Sequence, residues 1–82
     1  ISSNQNEINI SFFPNPVQDQ IHFNNPLNTI ERLTVTNGNG EIQMIEMIAN
    51  NRIDVSRLAP GLYFINVLMS DKHYQITRFL KM

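Results

Sequence analysis

A chain of 82 residues holds one small domain with one modest core, since at this size roughly 60–65% of the unfolded surface can be buried. Six Lys plus Arg against seven Asp plus Glu give a net charge of −1, so no basic face points to nucleic acid or anionic lipid. There is no Cys, which removes disulfides, thiolate metal sites and cysteine nucleophiles together and leaves stability to packing. Residues 1–6, Ile-Ser-Ser-Asn-Gln-Asn, are polar and lack the pattern of a secretory signal. They read as a linker from an upstream segment of a longer precursor, with the domain over residues 7–82. No apolar run approaches the roughly 18 residues of a bilayer span, so direct membrane insertion is not expected.

Ile8, Ile10 and Phe12 alternate with Asn9 and Ser11, the period of a half-buried strand. Proline lacks the N–H a ladder requires and fixes φ, so Pro14, Asn15 and Pro16 form a rigid turn that aims the next strand. That strand is predicted over residues 17–24, with Val17, Asp19, Ile21 and Phe23 on one face and Gln18, Gln20, His22 and Asn24 on the other. After Asn25-Pro26, Leu33 and Val35 alternate with Arg32, Thr34 and Thr36 over residues 30–37. The following Asn37-Gly38-Asn39-Gly40 predicts a hairpin, because Asn and Gly tolerate the positive φ of tight turns.

In residues 41–48 the parity slips, with Ile42 and Met44 on one face and Ile45 and Met47 on the other. A bulge or a strand that changes sheets produces this pattern. Asn50-Asn51 turns the chain, and Ile53 and Val55 then alternate with Arg52, Asp54 and Ser56. Tyr63, Ile65, Val67 and Met69 are the next inward set, residues 70–72 turn, and Tyr74 and Ile76 open the last strand. Seven short strands without a 3.6-residue period predict an all-β fold, an antiparallel immunoglobulin-like β-sandwich. Leu58-Ala59-Pro60-Gly61-Leu62-Tyr63 adds the pattern of a tyrosine corner, in which a hydroxyl bonds back to upstream backbone.

Catalytic and metal chemistry find little footing. His22 and His73 fall on the polar sides of their strands, and two imidazoles are fewer than the three or four groups a metal site needs. Residues 37–41 have the oxygens of a calcium loop but not its spacing to a bidentate Glu. No Gly-x-Ser-x-Gly elbow or His-Glu-x-x-His run is present. No cofactor, metal or enzymatic activity is therefore expected.

Three stretches remain: Pro14-Asn15-Pro16, Leu58 to Tyr63, and Arg78-Phe79-Leu80-Lys81. In this order and spacing they resemble the C-terminal sorting domain, type A, of proteins exported by the type IX secretion system of Bacteroidota. The resemblance runs from Phe12 to the end of the chain. Pro14, Asn15, Pro16, Gly40, Leu58, Gly61 and Tyr63 fill the family's structural positions, with Arg78 where Lys is usual and Met82 after Lys81. It implies an address label on an upstream cargo, carried through the periplasm to the translocon and cut by a surface sortase, leaving the cargo secreted or at the cell surface. Its implied contact residues are Arg78, Phe79, Leu80 and Lys81, which also read as cationic protection of an edge strand or as a strip for a partner that adds a strand. The rival reading is a fibronectin-like or carbohydrate-binding accessory module of an extracellular enzyme. That reading requires grouped, exposed aromatics, and the chain has no Trp.

Overall fold

The computed structural model describes residues 10–24, 30–49 and 51–82. The expected linker at residues 1–6, Ile8 of the first strand, the Asn25-Pro26 turn and Asn50 lie outside them. Eight strands follow in order: β1 Phe12–Phe13, β2 Gln20–Phe23, β3 Ile30–Asn37, β4 Ile42–Gln43, β5 Glu46–Ala49, β6 Arg52–Asp54, β7 Gly61–Met69 and β8 Tyr74–Lys81. They form two antiparallel four-stranded sheets, ordered β1-β2-β6-β5 and β4-β3-β7-β8, and no helix occurs among the described residues. The all-β sandwich read from the period-two pattern is the observed architecture.

The core is the meeting of the two inward faces. Ile21, Phe23 and Ile53 from the first sheet and Val35, Ile65, Val67 and Phe79 from the second are buried, with Ile10, Val17 and Val55 added from the connections. Alternation along β7 is complete, since Tyr63, Ile65, Val67 and Met69 point in. Each such side chain contributes about 1.5–3 kcal/mol by leaving water.

Two expectations change in detail. The slipped parity of residues 41–48 marks a change of sheet: β4 pairs with β3 in the second sheet and β5 with β6 in the first, so the chain crosses at Met44 and Ile45. One expected strand is therefore two, and seven become eight. The strand expected over residues 17–24 enters its ladder only at Gln20, because Val17 bridges in parallel to Lys81 on the opposite sheet. The Val17 N–H and carbonyl are committed to Leu80 and Met82 instead.

The predicted hairpin joins β3 to β4. The Asn37 N–H donates to the Glu41 carbonyl at 3.0 Å and the Gly40 N–H to the Asn37 carbonyl at 3.0 Å. The Asn37 Oδ1 accepts from the Asn39 and Glu41 amides, both at 2.9 Å, which ties the side chain into the turn. Gly40 sits at φ +83°, the left-handed position of a three-residue loop, which favours glycine.

Candidate functional site

The last strand, β8, is an edge of the second sheet, laddered to β7 alone from Leu68↔Tyr74 to Gly61↔Lys81. Its pleat sends Gln75, Thr77, Phe79 and Lys81 toward the first sheet and Tyr74, Ile76, Arg78 and Leu80 outward. Phe79 is 2% exposed and stacks on Tyr63 with ring centroids 5.6 Å apart. Lys81 is 6% exposed, and its Nζ donates to the Met82 backbone oxygen at 2.9 Å. The four-residue contact strip expected from the sequence is thereby divided. With Phe79 fixed inward, period two turns Lys81 inward also, and only Arg78 and Leu80 offer side chains to a partner.

The free backbone edge of this strand is also partly occupied. Asn15 Nδ2 donates to the Arg78 carbonyl at 3.4 Å, and Asn15 Oδ1 accepts from the Leu80 N–H at 3.0 Å. Two residues on, the Val17 N–H donates to the Leu80 carbonyl at 2.9 Å and the Val17 carbonyl accepts from the Met82 N–H at 2.8 Å. An incoming strand would need these same groups, so strand addition along residues 78–82 is blocked while the turn is in place. Asn15, between the two prolines, and Val17, just after them, thus act as a short clasp. Higher up, the Gln75 amide extends the same connection, accepting from the Ile10 N–H at 2.9 Å and donating to the Ile10 carbonyl at 2.8 Å.

The register then gathers the other motif residues at this end. Asn37 pairs with Tyr63 and Tyr63 with Phe79, so the hairpin, the corner and the last strand share one row. The Tyr63 hydroxyl donates to the Ala59 carbonyl at 2.7 Å, the expected tyrosine corner. Leu58 is buried beneath it, its N–H donating to the Val55 carbonyl at 3.0 Å. Gly61 opens β7 at φ +155°, a backbone region that residues with a Cβ rarely adopt.

Titratable groups are dispersed. Hydrogen bonds from the Ser56 side chain and backbone hold the exposed Asp54 carboxyl below its usual range, and the His73 backbone and ring do the same for Asp71. Both are turn-closing contacts, at 2.8 Å from the Ser56 N–H and 3.1 Å from the His73 N–H. Among the described residues no three His, Asp or Glu side chains come together as a metal site, and no helix is long and apolar enough to cross a membrane. The aromatics are not grouped: Phe23, Tyr63 and Phe79 are buried and Phe12 packs on the core. Phe13 stacks on His22 of the first sheet, whereas Phe64 and Tyr74 lie on the outward face of the second, in rows separated by that of Asn66 and Ile76.

One surface feature escaped the sequence reading. The outward positions of β7 and β8 carry Leu62, Phe64, Leu68, Tyr74, Ile76 and Leu80, where a solvated face would be polar. The signal was present in β7, whose Gly-Leu-Tyr-Phe-Ile-Asn-Val-Leu-Met is apolar at both parities save for Asn66. Arg32, facing outward on β3 opposite Leu68, joins this surface and had no motif to mark it.

No curated protein and no solved structure matches the chain. The family described as the secretion system C-terminal sorting domain matches residues 11–81, a span that takes in every motif residue placed above. The chain therefore belongs to the family of type IX secretion C-terminal sorting domains, tails that mark an attached cargo protein for export across the outer membrane.

Proposed function

We propose that this domain is a type A sorting tail of a Bacteroidota cargo, recognised as a rigid folded module and catalysing nothing itself. The cargo crosses the inner membrane by its own N-terminal signal, folds in the periplasm and is passed to the outer-membrane translocon by contacts this domain makes. A surface sortase then removes the domain, and the new C-terminus of the cargo is joined to anionic lipopolysaccharide or released. Arg78 and Leu80 are the contact residues of the terminal strand. Phe79, Lys81, residues 14–16, Gly61 and Tyr63 maintain the shape that presents them.

The observation that supports this reading is the state of β8. Its terminal backbone edge is already paired to Asn15 and Val17 while Arg78 and Leu80 stay exposed. Recognition in this reading depends on the outward side chains of a finished sheet. The test is a fusion of a signal peptide, a fluorescent protein and residues 1–82, expressed in a bacterium with a type IX system and in the same strain lacking its translocon. Fluorescence in the medium or at the surface, dependent on the translocon and accompanied by loss of the domain's mass on gels, is the expected result. Periplasmic retention of a fusion whose domain is folded by circular dichroism refutes the proposal.

A further inference from the structure

The outward face of the second sheet is more apolar than a solvated surface requires. Tyr74 is 62% exposed and Ile76 58%, on the same face as Leu80 and the half-buried Phe64 and Leu68. The face is also shaped: Arg32, Thr34, Ile42, Asn66, Leu68 and Tyr74 line a shallow depression of about 200 Å³. The outward rows of the first sheet are more polar, Gln20, Asp54 and Glu46 in one and His22 and Arg52 in the next, the latter flanked by Phe13 and Ala49. Monomers rarely leave a contiguous apolar patch uncovered unless something binds it.

At the paired positions of this face the charge has one sign, and the acid beside them, Glu31 in the bulge next to Arg32, is paired with Lys72. The register places Arg32 in the row of Leu68 and Tyr74, and Arg78 in the row of Thr36 and Phe64, two rows away with Ile76 between. No acidic residue occupies any of these paired positions. The charged contacts among the described residues are the Lys72–Glu31 ion pair and the hydrogen bond of His73 Nδ1 with Asp71 Oδ2, and neither arginine belongs to one. Two guanidinium groups thus flank an apolar strip in a molecule whose net charge is −1.

We infer that this face is a docking surface for a folded protein partner whose contact surface is apolar and bears carboxylates set to meet Arg32 and Arg78. The inference rests on the sorting reading and supplies the chemistry of the recognised surface. Complementary charge chooses the occupant. A second copy packing face to face would set like charges into one apolar interface, which costs rather than gains. An anionic bilayer would gain only about 1 kcal/mol from each arginine, and the face has no apolar loop to insert.

The export fusion carries the test. Arg32→Glu with Arg78→Glu is expected to lower the exported fraction at least about tenfold, since like charges at a docked interface are costly. Arg32→Lys with Arg78→Lys keeps the charge and retains most of the export. A control of equal charge change away from this face, Arg52→Glu on the first sheet with Arg57→Glu in the turn after it, leaves it unchanged. Each purified domain is checked by dichroism and melting, and if the double reversal loses its fold the single reversals are scored instead. Normal export of a folded double reversal overturns the inference and leaves the sorting reading intact. So does self-association of the unmodified domain in sedimentation equilibrium that Ile76→Asp abolishes, or arginine-dependent cosedimentation with phosphatidylglycerol vesicles. Retention of the unmodified fusion is a different failure: it removes the sorting reading and the inference with it.

Discussion

Asn15 does with a side chain what strands do with backbone. Its amide offers an acceptor to the Leu80 N–H and a donor to the Arg78 carbonyl, across separations of 65 and 63 residues. Pro14 and Pro16 have no N–H of their own, so the residue between them is the one that can pair. Asn15→Ala should lower stability by roughly 1 kcal/mol, and Asn15→Asp, which keeps the acceptor, by less. Amide exchange at Leu80 is the direct readout, and it should quicken more in the alanine variant. An unchanged Leu80 rate would show that the clasp is incidental. Gly61 is constrained in another way. A Cβ added there would meet nothing closer than Tyr63 Cε2 at 4.0 Å, so the penalty for a side chain is its φ of +155° and not a clash. Gly61→Val should therefore cost about 1–3 kcal/mol, read as a lowered melting temperature, whereas Gly38→Ala, which meets nothing within 4 Å, is the neutral comparison. Equal melting of the two variants would remove the conformational argument.

Among the elements, those bounded by clear turn signals were legible. The inward set of β7 is the expected Tyr63, Ile65, Val67 and Met69, the Asn-Gly hairpin closes β3 onto β4, and the corner before β7 forms the hydroxyl bond its sequence announces. The crossing between sheets at Met44 and Ile45 was visible as a slipped parity, yet a bulge would have left the same trace. Only the pairing of β4 with β3 and of β5 with β6 separates the two. The expected contact strip of Arg78, Phe79, Leu80 and Lys81 is not one exposed unit. The pleat instead assigns alternate members to opposite faces, and Phe79, filling the core against Tyr63, decides which. The clasp of Asn15 and Val17 on β8 left no local signal at all, since it joins segments far apart in sequence. The crossing itself can be tested. Met44 is 92% exposed whereas Ile45 packs against the core, so Met44→Glu should melt with the parent protein. Ile45→Glu should lose about 1–3 kcal/mol, as burial of an unpaired carboxylate does even at a half-covered site. Similar urea midpoints for both would mean that the chain does not cross where the register places it.

In the whole molecule the terminal strand belongs to the structure as fully as it belongs to the signal. Phe79 reaches the centre of the core, Lys81 pairs with Gly61, and the backbone from Arg78 to Met82 holds Asn15 and Val17 against the sandwich. A deletion of residues 78–82 would therefore remove a core aromatic, the last rungs of the β7–β8 ladder and the partner of the clasp together. Losing a buried Phe alone costs about 3–5 kcal/mol, against a total stability of roughly 5–15 kcal/mol for a domain of this kind. The deletion should consequently abolish cooperative melting, with far- and near-ultraviolet dichroism lost together, where Arg78→Ala and Leu80→Ser leave both spectra and the midpoint nearly unchanged. A deleted domain that still melts cooperatively would mean that β8 adds little to the core, and its last residues would then act as a detachable tag. If the deletion unfolds as expected, loss of export in that variant says nothing about recognition. The substitutions that keep the sandwich intact are then the ones that separate an address read from an outward face from a fold that has simply come apart.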